Sequence, residues 1–180
     1  MRTATGVARL LFGVTLTLSC ATAVHTQPSP NLTLIDGAKN PELIPEYLMW
    51  STALDSIKLL AEHNVVEHGP LKALLSSLSA SDGEMVVAEA AEHSRRREDC
   101  HQRGLRIVAA MEGQGVDKLE KAMKANTLAC REVLLDKVER LLARLTPEGR
   151  TALTTWVLAE RRHLKAWIVT TDLDFFRQPR

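Results

Sequence analysis

The chain has 180 residues, of which 45% are hydrophobic and 25% charged, as is usual for a single soluble domain. Aromatic residues make up only 4%, which favours packed helices over a β-sandwich, because strands are rich in β-branched and aromatic residues. Lys and Arg number 23 and Asp and Glu number 22, a balance that argues against nucleic acid or an anionic membrane surface as a partner.

The first 23 residues have the pattern of a secretory signal peptide. Arg2 and Arg9 precede an uncharged apolar run from Leu10 to Val24, and the small residues Ala21 and Ala23 supply a cleavage site. The run is shorter than the roughly 20 residues of a membrane-spanning helix, so an uncleaved anchor is the weaker alternative. We therefore expect an exported protein, periplasmic or extracellular, that has no membrane contact after cleavage.

A flexible lead-in, rich in Pro, Asn, Thr and Gly, is predicted over residues 24–40. It precedes a helical-bundle domain over residues 41–171 and a C-terminal tail over residues 172–180. Apolar residues that recur every three or four positions predict the first helix of the domain, which begins at Asn40-Pro41 or at Pro45 and ends near His68-Gly69-Pro70. A short apolar helical segment follows it.

Three further helices are predicted, each with a candidate N-cap. A Ser-x-x-Glu capping box begins at Ser81, and Asp117 caps the next helix after a glycine-rich turn. Thr146 with Pro147 opens the last helix, whose apolar positions continue to Ile168. Because no stretch alternates apolar and polar residues as a strand would, the predicted fold class is all-α, an antiparallel up-down bundle of about four main helices.

Two cysteines, Cys100 and Cys130, lie outside the signal segment. Their midpoint falls in the glycine-rich turn, so two helices folded back at that turn bring both cysteines to the same height. Export together with this register predicts a disulfide between them, and two small buried thiols are the alternative.

Two Glu-x-x-His pairs, Glu98 with His101 and Glu160 with His163, are candidate metal ligands. Each spacing places a carboxylate and an imidazole on one helix face, as in ferritin-like bundles. The faces argue against a metal core, however, because Glu98 points away from the apolar stripe and His163 lies at the margin of its own. We therefore expect no metal or other cofactor. A metal-binding four-helix bundle remains the alternative function, and a looser surface site that includes His93 is a further variant.

Polar residues interrupt the inward stripes of the helices. We predict that His93, Arg97, Asn126 and Glu160 form a hydrogen-bonded layer across the bundle. Such layers more often set the register of helices than catalyse a reaction. The chain has no nucleophile elbow, phosphate-binding loop or zinc-protease helix motif, so we expect no enzymatic activity.

Leu145-Thr146-Pro147-Glu148 resembles the LTxxQ signature of the bacterial periplasmic stress proteins of the Spy and CpxP type. In that family the motif opens a helix and occurs twice, and a second echo stands here at Leu78-Ser79-Ala80-Ser81-Asp82. Gly149 and Asp82 occupy the places of the family's Gln. The resemblance implies an all-helical periplasmic protein that binds unfolded or stress-sensing partners without ATP, and some relatives bind or help to sense metals.

The leading expectation is therefore an exported, non-enzymatic helical protein that binds other proteins, as a periplasmic stress or chaperone-like factor. Its protein partner is not specified by the sequence, and a homodimer is an open alternative. A secreted four-helix cytokine is a third reading, which the short turn after the second main helix disfavours, because cytokine bundles need long crossover connections.

Overall fold

A computed structural model describes residues 32–63 and 69–169 of the chain. The predicted signal peptide with its cleavage residues Ala21 and Ala23, and the predicted tail, lie outside the described residues. The described part contains five α-helices, which confirm the all-α helical bundle. The helices are α1 (Glu46–His63), α2 (Gly69–Ser77), α3 (Ala80–Ala110), α4 (Val116–Arg144) and α5 (Pro147–Glu160).

The longest helices, α3 and α4, form an antiparallel hairpin. The turn between them contains Gly113 and Gly115, whose φ angles of +78° and +93° lie in the left-handed region that favours glycine. Helix α1 packs against α3, α4 and α5, while α2 packs against α5. None of the helices in the described ranges is both long and apolar enough to cross a membrane.

The hydrophobic core occupies one end of this arrangement. Its largest fully buried apolar side chains are contributed by α1, α3, α5 and the segment before α1, and they are Ile44, Leu54, Ile57, Val86, Leu153 and Val157. Helix α4 joins the core only from Leu134 onward. Over residues 94–133 the single buried residue is Gly104. We call residues 94–133 the distal hairpin and the remaining described residues the base.

A small antiparallel sheet corrects the expectation that no strand is present. Strand β1 (Leu32–Asp36) lies in the predicted flexible lead-in, and β2 (Lys165–Val169) lies where the last helix was expected to continue to Ile168. The helix instead ends at Glu160 and is followed by a 3₁₀ turn. The two strands lie far apart in sequence, so their pairing leaves no local periodic signal.

Close backbone contact fixes the start of this sheet. The amide of Gly37 donates to the carbonyl oxygen of Leu164 at 2.8 Å. A Cβ at position 37 would lie 2.9 Å from the same oxygen and closer still to the carbonyl oxygen of Arg161, so only glycine fits there. The Arg161 side chain also donates to the carbonyl oxygen of Ile44 at 3.0 Å, which ties the end of α5 to the segment before α1.

Two of the three predicted helix caps are wrong. Helix α3 begins one residue before Ser81, and its cap is Ser79, whose hydroxyl accepts the amide of Asp82 at 3.1 Å. Ser81 is an exposed residue of the first turn. Helix α4 is capped by Gly115 without a side-chain hydrogen bond, because a positive φ is required there, and Asp117 falls inside its first turn.

The third cap, Thr146, is confirmed and is joined to the start of α3. Its hydroxyl accepts the amide of Gly149 at 3.1 Å and donates to the carboxylate of Asp82 at 2.5 Å. The backbone amide of Thr146 donates to the same carboxylate at 3.1 Å. The hydrogen bond from the Thr146 hydroxyl lowers the pKa of the buried Asp82, which stays ionised between two helix N-termini. The two motif-like segments are therefore in direct contact.

Candidate functional site

A groove of about 460 Å3 runs along the junction between the base and the distal hairpin. Side chains of α1, α3 and α4 line it, and both cysteines contribute to its wall. Because few core residues lie beside it, the groove is open to solvent along the hairpin. We call it the α3–α4 groove.

Exposed aliphatic side chains form one part of the α3–α4 groove. Leu105 and Val108 of α3 are 50% and 47% exposed, and Val133 of α4 is 42% exposed. Single exposed aliphatic residues are common on protein surfaces, but several that line the same concavity are typical of a binding site.

The neighbouring wall is basic. Arg96, Arg97 and Arg131 line it together with His93 and His101, and the described lining residues include no Asp or Glu. Carboxylates behind the wall pair with two of the arginines, since Arg96 contacts Glu89 and Arg97 contacts Asp55. The Nε atom of Arg96 is buried and has no acceptor among the described residues.

His93 is a buried polar residue that lines the groove. Its Nε2 lies 3.0 Å from the hydroxyl oxygen of Ser51 and 3.9 Å from Oδ1 of Asp55. Burial, followed by repulsion from Arg97 and Arg96, lowers the pKa of His93 to about 4, so the imidazole is neutral near pH 7.

This cluster is not a Ser-His-Asp catalytic triad. In a triad the serine and the carboxylate bind opposite nitrogens of the imidazole, whereas here both Ser51 and Asp55 lie nearest the same nitrogen of His93. Burial raises the pKa of Asp55, and the charges of Arg97 and Lys58 act in the opposite direction. The arrangement joins α1 to α3 and presents no activated nucleophile.

One face of α1 supplies the contacts to the hairpin. Tyr47, Ser51 and Asp55 are spaced four residues apart and so lie on the same side of the helix. The guanidinium of Arg131 lies 5.8 Å from the centre of the Tyr47 ring, within the range of a cation–π contact. This face of α1 therefore borders the groove, which Tyr47 and Ser51 line.

The predicted disulfide between Cys100 and Cys130 is confirmed. Their Cα atoms are 6.2 Å apart, and both residues are half-buried in the groove wall. Nη2 of Arg103 lies 3.0 Å from the Cys100 sulfur and 3.4 Å from the Cys130 sulfur. Asn126 donates to the carbonyl oxygen of Cys100 at 3.3 Å, so a polar contact accompanies the cross-link.

The candidate metal ligands are not brought together. Glu98 and His101 are exposed on α3, with His101 beside the groove, whereas Glu160 ends α5 and His163 belongs to the following 3₁₀ turn. No group of three or more His, Cys, Asp or Glu side chains in the described ranges could hold a metal ion. The metal-binding alternative receives no geometric support from these residues.

The predicted polar layer forms only in part, and with a different partner. His93 and Arg97 make their contacts with α1, and Asn126 binds the backbone beside the disulfide. Glu160 lies at the end of α5, whose main packing partners are α1 and α2. The layer is thus replaced by separate contacts at the junction of α1 with the hairpin.

Neither the contacts of Ser51 and Asp55 on α1 nor the position of Arg103 beside the disulfide was predicted from the sequence. The α1 contacts have a sequence signal, because Ser51 and Asp55 fall at a spacing of four and so lie on one face of the helix. Arg103 lies three residues after Cys100, a spacing that brings the two side chains to one helix face. The spacing alone therefore indicates that an arginine lies beside the disulfide.

Comparisons of the chain with protein-family models, with curated proteins and with solved structures gave no match.

Proposed function

We propose that this protein binds other proteins through the α3–α4 groove. The observation that carries the proposal is the set of exposed aliphatic side chains, Leu105, Val108 and Val133, that line a concavity of about 460 Å3. Such a volume lies within the range of ordinary binding pockets and accommodates a few side chains of a peptide. Burial of these aliphatic surfaces would supply the free energy of binding.

The partner segment that best fits the groove is apolar and flanked by acidic residues. The aliphatic part would receive Leu-like or Phe-like side chains, and the basic wall formed by Arg96, Arg97 and Arg131 would attract carboxylates. The described lining residues include no acidic group, which supports this assignment, although Glu89 and Asp55 behind the wall neutralise part of the charge of Arg96 and Arg97.

An exported, chaperone-like role is the form of this function that agrees with the sequence. The signal-peptide pattern and the resemblance to periplasmic stress proteins support it, as does an open groove whose aliphatic lining selects weakly among apolar segments. The protein would act by binding, without catalysis or a bound cofactor. A metal-binding bundle stays a prediction, which elemental analysis of protein purified without chelator would test.

Peptide binding to the groove can be tested with a matched pair of variants. Leu105→Glu places a carboxylate in the groove, whereas Leu158→Glu changes a side chain of nearly equal exposure, 49% against 50%, on α5 outside the groove. We expect Leu105→Glu to weaken binding of a fluorescent peptide with an apolar centre and Asp/Glu flanks by about 10-fold or more. Leu158→Glu should bind like the wild type.

A second peptide separates the contribution of the aliphatic lining from that of the basic wall. The same apolar centre flanked by Lys instead of Asp and Glu should bind more weakly, and added salt should reduce this difference. Equal binding by wild type and Leu105→Glu would contradict the groove as the binding site. The chaperone-like role can be tested by adding a several-fold excess of the mature protein to an unfolded client and measuring the client's aggregation. If aggregation is not suppressed, the chaperone-like role is contradicted.

A further inference from the structure

The Cys100–Cys130 disulfide lies in an environment unlike that of a purely structural cross-link. It lies in the distal hairpin, outside the hydrophobic core, and in the wall of an open groove. Both cysteines are half-buried, so an attacking thiolate has a route to them from the groove. Disulfide exchange requires such access to a sulfur atom.

Arg103 makes the two sulfur atoms chemically unequal. Its Nη2 is 3.0 Å from the Cys100 sulfur and 3.4 Å from the Cys130 sulfur. A guanidinium beside a sulfur stabilises the thiolate and lowers the thiol pKa, and a thiol of lower pKa is the better leaving group. Cys100 is therefore the better leaving group of the pair, and Cys130 is the sulfur that an incoming thiolate should attack.

We propose that Cys100–Cys130 is a thiol–disulfide exchange site for a cysteine thiolate of a protein segment bound in the α3–α4 groove. The delivery of that cysteine rests on the proposed protein binding, whereas the exchange chemistry requires only a thiol. The site would thus transfer its disulfide to a reduced partner, an activity distinct from binding.

The exchange proceeds in two balanced steps. In the first, the partner thiolate forms a bond to the Cys130 sulfur, the bond between the two cysteines breaks, and its electron pair leaves on Cys100 as a thiolate beside Arg103. In the second, another thiolate of the partner attacks the partner's sulfur in this mixed disulfide and releases Cys130 as a thiolate. The partner has then been oxidised to a disulfide, and Cys100 and Cys130 have been reduced to a dithiol by the same two electrons.

The sparse packing around the two cysteines also favours opening of the disulfide. Around the cysteines the two helices are joined by few buried contacts, since Gly104 is the sole buried residue of the distal hairpin. A Cβ on Gly104 would meet Met123 and Asn126 only at van der Waals distance. Separation of the sulfurs after the first step would therefore disturb little packing.

The first experiment measures the rate at which reduced glutathione opens the disulfide at pH 7. We expect Arg103→Gln to react about 3- to 10-fold more slowly than the wild type, because Cys100 would leave without the stabilising charge. Arg106→Gln is the matched control, since Arg106 is an exposed arginine of the same helix that donates to neither sulfur among the described hydrogen bonds. Equal rates for wild type and Arg103→Gln would overturn the proposal.

The second experiment tests the direction of attack. After acid quenching of the glutathione reaction, peptide mapping should find the mixed disulfide mainly on Cys130. In the single-cysteine variants, the alkylation rate against pH should give a lower thiol pKa for Cys100 in Cys130→Ala than for Cys130 in Cys100→Ala. Addition of Arg103→Gln should raise the pKa of Cys100. The reverse order, or glutathione mainly on Cys100, would overturn the assignment.

These measurements are independent of the peptide-binding tests. They use the whole mature protein with a small thiol and no protein partner, and far-UV circular dichroism verifies that each variant is folded. Equal glutathione rates for wild type and Arg103→Gln, with peptide binding that is weakened by Leu105→Glu, would overturn the exchange site alone. Equal peptide binding by wild type and Leu105→Glu, with the expected glutathione kinetics, would contradict the groove as the binding site alone.

Discussion

The base and the distal hairpin differ in what holds them together. In the base, side chains such as Leu54 and Leu153 are fully buried and belong to one hydrophobic core. In the distal hairpin, the helices are joined by a disulfide and by polar contacts such as that of Asn126 with the backbone of Cys100. A disulfide needs only two residues to hold two helices together, so it can constrain the chain where few side chains are buried.

This difference explains why the groove lies where it does. A binding surface needs exposed aliphatic side chains, and these contribute little to folding as long as they remain in water. The distal hairpin can expose Leu105 and Val108 because its helices do not depend on burying them. The face of α1 that carries Tyr47, Ser51 and Asp55 then connects this surface to the stable base.

Truncation of one buried leucine in the base and one exposed leucine in the distal hairpin should affect stability very differently. We expect Leu153→Ala in the base to lower the free energy of unfolding by about 2–5 kcal/mol, because it leaves a cavity among fully buried neighbours. Leu105→Ala in the distal hairpin should change the free energy of unfolding by no more than about 0.5 kcal/mol.

Urea unfolding followed by tryptophan fluorescence measures both changes, since Trp50 lies in the core. If Leu105→Ala and Leu153→Ala lost comparable free energy of unfolding, the distal hairpin would depend on buried side chains as the base does, and the two regions would not differ in what holds them together.

A change of pH acts at the junction between the two regions. The pKa of His93 is about 4 in the folded chain, against 6.5 for an ordinary histidine. As the pH falls through 6.5 the unfolded chain takes up the proton first, so the folded state loses stability until the pH reaches about 4. The full difference corresponds to about 3 kcal/mol. Asp55, whose pKa is raised, takes up its proton more readily in the folded chain and offsets part of this loss at the acid end.

The measurement is the free energy of unfolding in urea between pH 7.5 and 4.5 for wild type and His93→Gln. Glutamine does not titrate and can still hydrogen-bond to Ser51, so the variant should show a flatter pH dependence. Carboxylates elsewhere contribute to both proteins and cancel in the difference. The same slope in both proteins would show that His93 does not titrate differently in the folded and unfolded chains.

The smallest effects compare two glycines near the helix starts of the base. At Gly149 a Cβ would lie 2.8 Å from Cγ of Asp82 and closer still to its carboxylate oxygen, whereas at Gly83 a Cβ meets nothing within 4 Å. We expect Gly149→Ala to destabilise the protein by about 1–3 kcal/mol through crowding. Gly83→Ala should stabilise it by up to about 1 kcal/mol, because alanine is the better helix former.

Thermal unfolding of the wild type and the two variants measures whether each substitution raises or lowers the stability. If Gly149→Ala were as stable as Gly83→Ala, the contact between Asp82 and the start of α5 would be loose enough to move aside, and the tie between the two helix starts would be unimportant for stability.

The sequence predicted those parts of the fold that depend on local periodicity. The long helices, the glycine turn and the register of Cys100 with Cys130 follow from patterns within each segment. The pairing of β1 with β2 does not, because it joins distant five-residue segments whose side chains show no extended alternation. The groove could not be predicted either, since it depends on how α1 packs against the hairpin.

The start of α3 shows how a local rule fails when a distant residue intervenes. A capping box at Ser81 is a sound local expectation, but the carboxylate of Asp82 is held by Thr146, and Ser79 caps the helix instead. The same contact explains why glycine occupies position 149, where a capping box would have Glu or Gln. What looks in sequence like a departure from a motif is required by the contact.

The cross-link also determines what happens when the chain is cut. A protease that cleaves once between Cys100 and Cys130, for example at the exposed turn around Gly113, produces two fragments that the disulfide still joins. The cut protein would migrate as one molecule without a reducing agent and as two with it. The covalent loop would thus keep the base and both arms of the hairpin together after a break at this exposed turn.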